Sequence, residues 1–249
     1  MNPTTIRAAF VACLAFALAF GGAPATGWTQ EGDWGAEKWP EKGSVDFQVS
    51  LGFGGVPIGR ANHTWSHGRE QYQMRLAVET TGMAASLRKL GYVQQSEGSI
   101  GKEGLQPRRF DVTQLGKTPE AALFDWEAAR VSIQRGSRER RSASLAAGDQ
   151  DMLSVWHQVG HAGALPDSLL VVGNKDARRT RITRLEDGSL QVPAGQFATR
   201  HFKVRSEDGR VAIDLWLALD RYMLPVRAVL DDTKSVTLVL EAISVNPGQ

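Results

Sequence analysis

The chain has 249 residues, with 29 Lys plus Arg against 27 Asp plus Glu and a single cysteine. That near-neutral balance gives no electrostatic case for nucleic acid as a partner. One cysteine excludes an intrachain disulfide, so stability has to come from core packing.

Residues 1–25 read as a bacterial export signal. Arg7 supplies the positive start, Ala8 to Phe20 an apolar stretch, and Ala23-Pro24-Ala25 a small-x-small cleavage site. The apolar run of 13 residues is well short of the roughly 20 that span a bilayer as a helix. The expectation is cleavage after Ala25 and a mature chain in the periplasm, not transmembrane, with neither ATP nor a nicotinamide pool at hand. Val11-Ala12-Cys13 loosely resembles a lipid-attachment box, but only Ala8 to Ala12 precede it as an apolar segment, shorter than a signal core of about 7–15 residues.

Residues 26–42 are polar and Gly-rich, carry Trp28, Trp34 and Trp39, and lack a strand or helix period. They read as a flexible lead-in, loosely folded against the body, to a single antiparallel β domain over residues 43–249. Val45, Phe47, Val49 and Leu51 then alternate with polar residues, Gly52 to Pro57 punctuate a turn, and a second strand runs to about Trp65. Tyr72, Met74, Leu76 and Val78 complete a three-strand meander. Weaker strands broken by glycines follow over 83–115, with Phe110-Asp111-Val112 a further strand and Leu123–Trp126 paired with Arg130–Gln134 as a hairpin.

One helix is predicted over 149–161, capped by Asp151, with Met152, Val155, Trp156 and Val159 as its apolar stripe and Gly160 and Gly163 ending it. Strands resume at 169–172, 178–185, 197–205, 211–219, 223–230 and 236–245. The fold class is therefore mainly β: a curved antiparallel sheet forming an incomplete barrel with one helix packed on or in it.

No motif carries catalysis. His157 and His161 stand four apart on the helix, but no glutamate follows the first, and no third ligand is evident for a metal. They are expected to cap the helix end or face solvent. His63 and His67, on a strand and its turn, would lie about 13 Å apart along it and read as surface decoration. Ser86-Leu87-Arg88-Lys89 matches Ser-x-x-Lys without its companion elements. Gly52-Phe53-Gly54-Gly55 joins two strands and opens no helix, so it reads as hairpin chemistry, not a phosphate loop. The arginines of 135–141 and 178–184 alternate between strand faces and read as solvated hairpins. Asp149 and Asp151, two apart, would point in different directions as a carboxylate pair. No cofactor is indicated.

The apolar signals point to a binding role. Leu215-Trp216-Leu217-Ala218-Leu219 and Val236–Leu240 are apolar on both faces, so each face needs cover. If the sheet curls around a space, Trp65, Phe124, Trp126, Phe202 and Trp216 are the ligand-binding residues expected there. Otherwise they fill a solid core.

A set of motifs carries a resemblance. These are Gly52-x-x-x-Val56-Pro57-Ile58-Gly59, Thr81-Gly82-Met83, Gly104-Leu105-Gln106-Pro107-Arg108-Arg109-Phe110, Phe124-Asp125-Trp126 and Asp149-Gln150-Asp151-Met152-Leu153-Ser154. Pro193-Ala194-Gly195-x-x-x-Thr199-x-His201, Trp216-Leu217-Ala218 and Leu224-Pro225-Val226-Arg227 complete it. In order and spacing the chain resembles, over residues 43–245, the bacterial exported family catalogued as domain of unknown function 3108. The resemblance implies an exported β-rich protein with no assigned activity and lends no catalytic residues. More distantly, the Trp216-Leu217 strand and the Leu-Pro-Val-Arg turn are similar to the lipoprotein carriers LolA and LolB, half-open barrels around an apolar cavity. The expected partner is accordingly a lipid or lipoprotein acyl chain, or alternatively an envelope protein held by the outer surface and the Trp-rich lead-in.

Overall fold

The computed structural model describes residues 39–87, 91–163, 165–232 and 236–248, all within a compact unit of residues 31–249. The expected export signal over residues 1–25 and most of the expected lead-in lie outside the described residues.

Alternating side chains build long antiparallel strands from the start. The first five are β1 (Lys42–Leu51), β2 (Pro57–His67), β3 (Gln71–Thr80), β4 (Gly91–Gly101) and β5 (Gly104–Gln114). Then come β6 (Glu120–Asp125), β7 (Arg130–Arg135), β8 (Arg138–Ser144) and the two-residue β9 (Gln150–Asp151). The second half holds β10 (Ser168–Val172), β11 (Ala177–Arg184), β12 (Gly188–Val192), β13 (Gly195–Ser206), β14 (Ala212–Ala218), β15 (Leu224–Asp232) and β16 (Val236–Pro247). Among the described residues two helices interrupt them, α1 (Gly82–Leu87) and α2 (Val155–His161).

All sixteen strands share one sheet in the order β8-β7-β6-β5-β4-β3-β2-β1-β16-β15-β14-β13-β11-β10-β9, with β12 paired to β13. β1 beside β16 joins the two ends of the described chain, while β8 and β9 are the ends of the sheet, so the barrel is not closed. The fold is mainly β and antiparallel, as the short period-two segments predict. The exception is the parallel pair β9–β10, Val171 opposite Gln150 and Val172 opposite Asp151.

Curling brings the β9 end of the sheet back over β4 and β5. Gln150 Nε2 donates to the Leu105 carbonyl at 2.7 Å, and Ser96 Oγ to Asp151 at 2.6 Å. Inward side chains of β1, β2, β3, β5, β7, β13, β14 and β15 join one buried cluster that also takes in Leu153, Trp156 and Val159. The interior is therefore filled around α2, whose Val155, Trp156, His157, Gln158, Val159 and His161 are all buried. Gly160 is what lets α2 seat so closely: a Cβ there would lie 2.9 Å from the Leu217 side chain and 3.2 Å from Met223.

Three expectations need correction. The helix predicted over 149–161 spans only Val155–His161. Asp151 does form a cap, but of the turn ahead of the helix: its Oδ1 accepts the Leu153 and Ser154 amides at 2.8 Å each, and its own amide donates to Ser154 Oγ at 3.0 Å. Those bonds close a turn at residues 151–154 and leave 150–151 free to pair with β10. Nor does Gly160 end the helix, which runs on to His161.

The described end of the lead-in is also not loose. Trp39 is 2% exposed within the core cluster, because its ring stacks on His67 at 4.2 Å and Trp65 Nε1 donates to the Pro40 carbonyl at 2.9 Å. α1 and β12 go beyond the expected elements. β12 exposes most of its length and offers no alternating apolar signal.

The Gly52–Gly55 segment is hairpin chemistry as read, with Gly52 and Gly54 at φ 67° and 65°. The Arg135–Arg141 segment is a solvated hairpin, every residue of β8 from Arg138 to Ser142 being exposed. The second basic cluster is dispersed into ion pairs: Arg178 with Asp176 and Asp208, Arg179 with Asp149, Arg184 with Asp187.

Candidate functional site

Four of the chain's five histidines converge. On β2, His63 has the same parity as the buried Ala61 and Trp65, so alternation turns it inward, where it is fully buried. α2 lies across that face and presents His157, also fully buried. The two Nε2 atoms are 2.8 Å apart, across 94 positions of chain. His63 Nδ1 lies 3.2 Å from the Arg75 carbonyl, which can only accept. The tautomers follow: His63 donates from Nδ1 and accepts at Nε2, and His157 donates from Nε2. His157 Nδ1 then carries a bare lone pair, with no hydrogen-bond partner among the described residues.

Burial holds His63 down to about 4, against a smaller upward pull from the Arg75 carbonyl. Burial, then repulsion from His63, His161 and His67, pushes His157 well below the ordinary histidine range. Burial also lowers His161 to about 4, with His67 adding to it. The expectation that His63 decorates the surface, and the solvent-facing alternative for His157 and His161, are thus overturned, whereas His67 stays half-exposed. The helix is buried on every side, and β2 turns alternate residues into the same interior. Trp39 closes the cluster from outside, 4.9 Å from the His157 ring and 5.9 Å from His161. His67 faces the carbonyls of Trp39 and Gly68 at 3.0 Å each. Among the described residues no three His, Cys, Asp or Glu side chains converge to hold a metal.

A second buried polar chain lies at the start of α2. Tyr72 Oη is 3.1 Å from Ser96 Oγ, which donates to Asp151. Burial raises Asp151 to about 6, against four hydrogen bonds that lower it. It raises the Tyr72 hydroxyl well above its usual range, with the Asp151 charge adding to the effect. Asp149 is equally committed: it accepts the Ala146 and Leu170 amides at 2.7 Å each and pairs with Arg179 at 3.2 Å. Both carboxylates are spent on the fold.

The five aromatic residues predicted to bind ligand do not form one wall. Trp65, Phe124 and Phe202 are buried in the common core. Trp126 stands at its margin, stacked on Phe124 at 6.1 Å and donating to the Pro107 carbonyl at 2.6 Å. Trp216 faces the other way. The register opposes Phe202 to Leu215 and His201 to Trp216, so the outward row is His201, Trp216, Arg227 and Glu241. There the indole stacks on His201 at 4.1 Å, with the Arg227 guanidinium 5.6 Å from its centroid.

Two further features lie outside the core. Leu51 at the end of β1, Phe53 and Val56 in the β1–β2 turn and Met83 on α1 are 46%, 67%, 77% and 85% exposed. The chain entering α1 bonds to the start of β2, Thr81 N donating to the Ile58 carbonyl at 3.0 Å, so α1 and the β1–β2 turn lie at the same end of β2. On the outer face, a groove of about 610 Å³ is lined by Ser244, Asp46, Asn62, Ala77 and Val93, one row across five strands, together with Arg60 and Arg75.

Sequence reasoning missed the histidine pair and the Tyr72–Ser96–Asp151 chain. The signal for His63 was present, since any residue two positions from an inward Trp65 on a strand also points inward. No local signal announces that α2 is buried all round.

The family profile "Protein of unknown function (DUF3108)" matches residues 46–241. A comparison with curated proteins gives no significant match. Among solved structures, the chain is similar to a β-barrel-like protein of domain of unknown function DUF1849 from Brucella abortus. The TM-score is 0.56 at 10% identity, covering 85% of this chain and 99% of that one. A protein from Parabacteroides distasonis named provisionally as a lipoprotein gives a TM-score of 0.36 at 10% identity, over 84% and 97% of the two chains. A provisionally named exported protein with a YmcC-like fold from Bacteroides fragilis gives 0.35 at 9%, over 83% and 97%. The first supports the barrel-like fold. Among the described residues no helix is long and apolar enough to cross a membrane.

Proposed function

The chain belongs to DUF3108, a family of proteins of unknown function, and from that premise we propose that it is a periplasmic, non-enzymatic binding module for an apolar ligand, a lipid or the acyl chain of a lipoprotein. The observation that carries this reading is the rim, where Leu51, Phe53, Val56 and Met83 stand exposed on two neighbouring tips. Large apolar side chains clustered in water are costly and mark contact sites. The distant sequence resemblance of the Trp216-Leu217 strand and the Leu224–Arg227 turn to LolA and LolB, which none of the reported matches includes, suggests the same class of ligand. With α2 and Trp39 filling the interior, the ligand meets the rim first. Trp65, Phe124 and Phe202 become lining only where α2 gives way, and Trp216 takes no part.

The test is binding to vesicles of phosphatidylethanolamine and phosphatidylglycerol and to a fluorescent sixteen-carbon fatty acid. The Phe53→Ser/Met83→Ser variant is expected to bind at least about tenfold more weakly at unchanged stability. Equal binding by variant and parent, or none by the parent, overturns the reading.

The outer groove favours a second reading, an envelope assembly factor that holds a protein partner. Trp39 cannot serve as its contact, since that side chain is buried in the chain's own core. A photo-crosslinker at Ala77, on the groove floor, would give one discrete protein adduct in intact cells if this reading holds, and none if it fails.

A further inference from the structure

α2 is tied into the trough by side chains from three directions. On the β5 side, Gln158 Oε1 accepts the Leu105 amide and its Nε2 donates to the Glu103 carbonyl, both at 2.8 Å. Near β14 and β15, Gly160 rests on Leu217 and Met223. On the β2 side the tie is the Nε2–Nε2 contact of His63 and His157.

That last bond differs from the others because an added proton either breaks it or leaves a buried charge beside it. Two imidazole nitrogens 2.8 Å apart bond when one proton lies between them. A second proton placed there would set two N–H groups against each other. A proton placed on His157 Nδ1 instead would be a charge with no hydrogen-bond partner among the described residues, between the rings of Trp39 and Trp65 at 4.9 and 5.5 Å.

The titratable groups facing the pair are His67 from β2 and His161 from α2 itself. β3 contributes the Arg75 carbonyl, and the lead-in lays Trp39 across the top. No carboxylate bonds to His63 or His157 among the described residues, so no counter-charge meets an added proton there.

We propose that the His63–His157 pair is a proton-operated latch: neutral, it locks α2 to β2 beneath the Trp39 strap; protonated, it releases α2 from the trough and uncovers the apolar lining. The latch stands whatever the trough accepts, so it can fail while apolar binding at the rim survives, and the reverse. For His63 alone, the gap between about 4 in place and 6.5 when freed favours the open form about 30-fold at pH 5 over pH 7.5.

Hydrogen–deuterium exchange of the whole chain, corrected for intrinsic rates, tests it. Between pH 7.5 and 5.0, protection of residues 153–163 is expected to fall at least tenfold and to end well below that of β13, β14 and β15, which tracks global stability. On a His161→Leu background, which removes the other buried histidine of α2, the loss is expected to persist with the pair intact and to stay below about threefold in His63→Leu/His157→Leu. Should that variant not fold, histidine ring titration by NMR in the parent chain decides instead, the rings taking up protons in step with α2 exposure. Unchanged α2 protection at pH 5.0, an α2 no less protected there than those strands, loss undiminished in the variant, or protonated rings under a protected α2 would each overturn the latch.

Discussion

Ser96 on β4 donates its hydroxyl to the Asp151 carboxylate at 2.6 Å, joining two residues 55 positions apart in a site from which water is excluded. The same carboxylate caps the turn that opens α2. One side chain therefore sets both where the helix begins and where it attaches to the sheet.

Substitution should separate the shape of this group from its charge. Burial disfavours the carboxylate, so Asp151→Asn is expected to cost less than about 1 kcal/mol at pH 7 or to stabilise, with the new amide donating to Ser96 as the serine hydroxyl turns to Tyr72. Asp151→Ala strands two buried amides and should cost about 2–4 kcal/mol. Urea midpoints decide, and an Asn variant as damaged as the Ala one would mean that the fold uses the charge itself.

Stability should fall as the solution is acidified from pH 7 to 4. His63 and His161 sit at about 4 in the folded chain against 6.5 unfolded, so the unfolded chain takes up more protons across that window. Each ring's contribution is fully present above 6.5 and lost as pH falls through about 4, roughly 3 kcal/mol apiece. His157 acts in the same direction. Asp151, raised to about 6 from 3.8, works the other way: its contribution is present below 3.8 and lost as pH rises through 6. The histidines outnumber it, so a net loss of at least about 3 kcal/mol is expected from denaturant titrations at the two pH values. A flat profile would show that the rings are not held neutral by burial.

Trp39 should behave as a core residue, not as part of a tail. Trp39→Ala removes a buried indole and is expected to cost about 3–5 kcal/mol by urea denaturation. A loss under about 1 kcal/mol would return this segment to the loose lead-in that its composition suggests.

Two glycines offer a paired control. A Cβ on Gly59 would stand 2.3 Å from the Glu79 carbonyl oxygen, a backbone atom that cannot turn aside, whereas at Gly68 nothing lies within 4 Å. Gly59→Ala is expected to cost at least about 2 kcal/mol and Gly68→Ala less than about 0.5. Comparable midpoints for the two variants would contradict the close approach of β2 to β3.

Much of the architecture was legible along the chain. Val45, Phe47 and Val49 alternate with polar neighbours because successive strand residues face opposite sides, and a glycine at the φ of Gly52 and Gly54 makes the turn that follows. Such preferences act between residues a few positions apart, so composition and spacing carry them. The meeting of His63 with His157, the docking of Trp39, and the separation of Trp216 from Phe202 onto opposite faces were decided elsewhere. They depend on how a sixteen-stranded sheet curls around a seven-residue helix. That packing is set by contacts between segments distant in the chain, which no local pattern encodes.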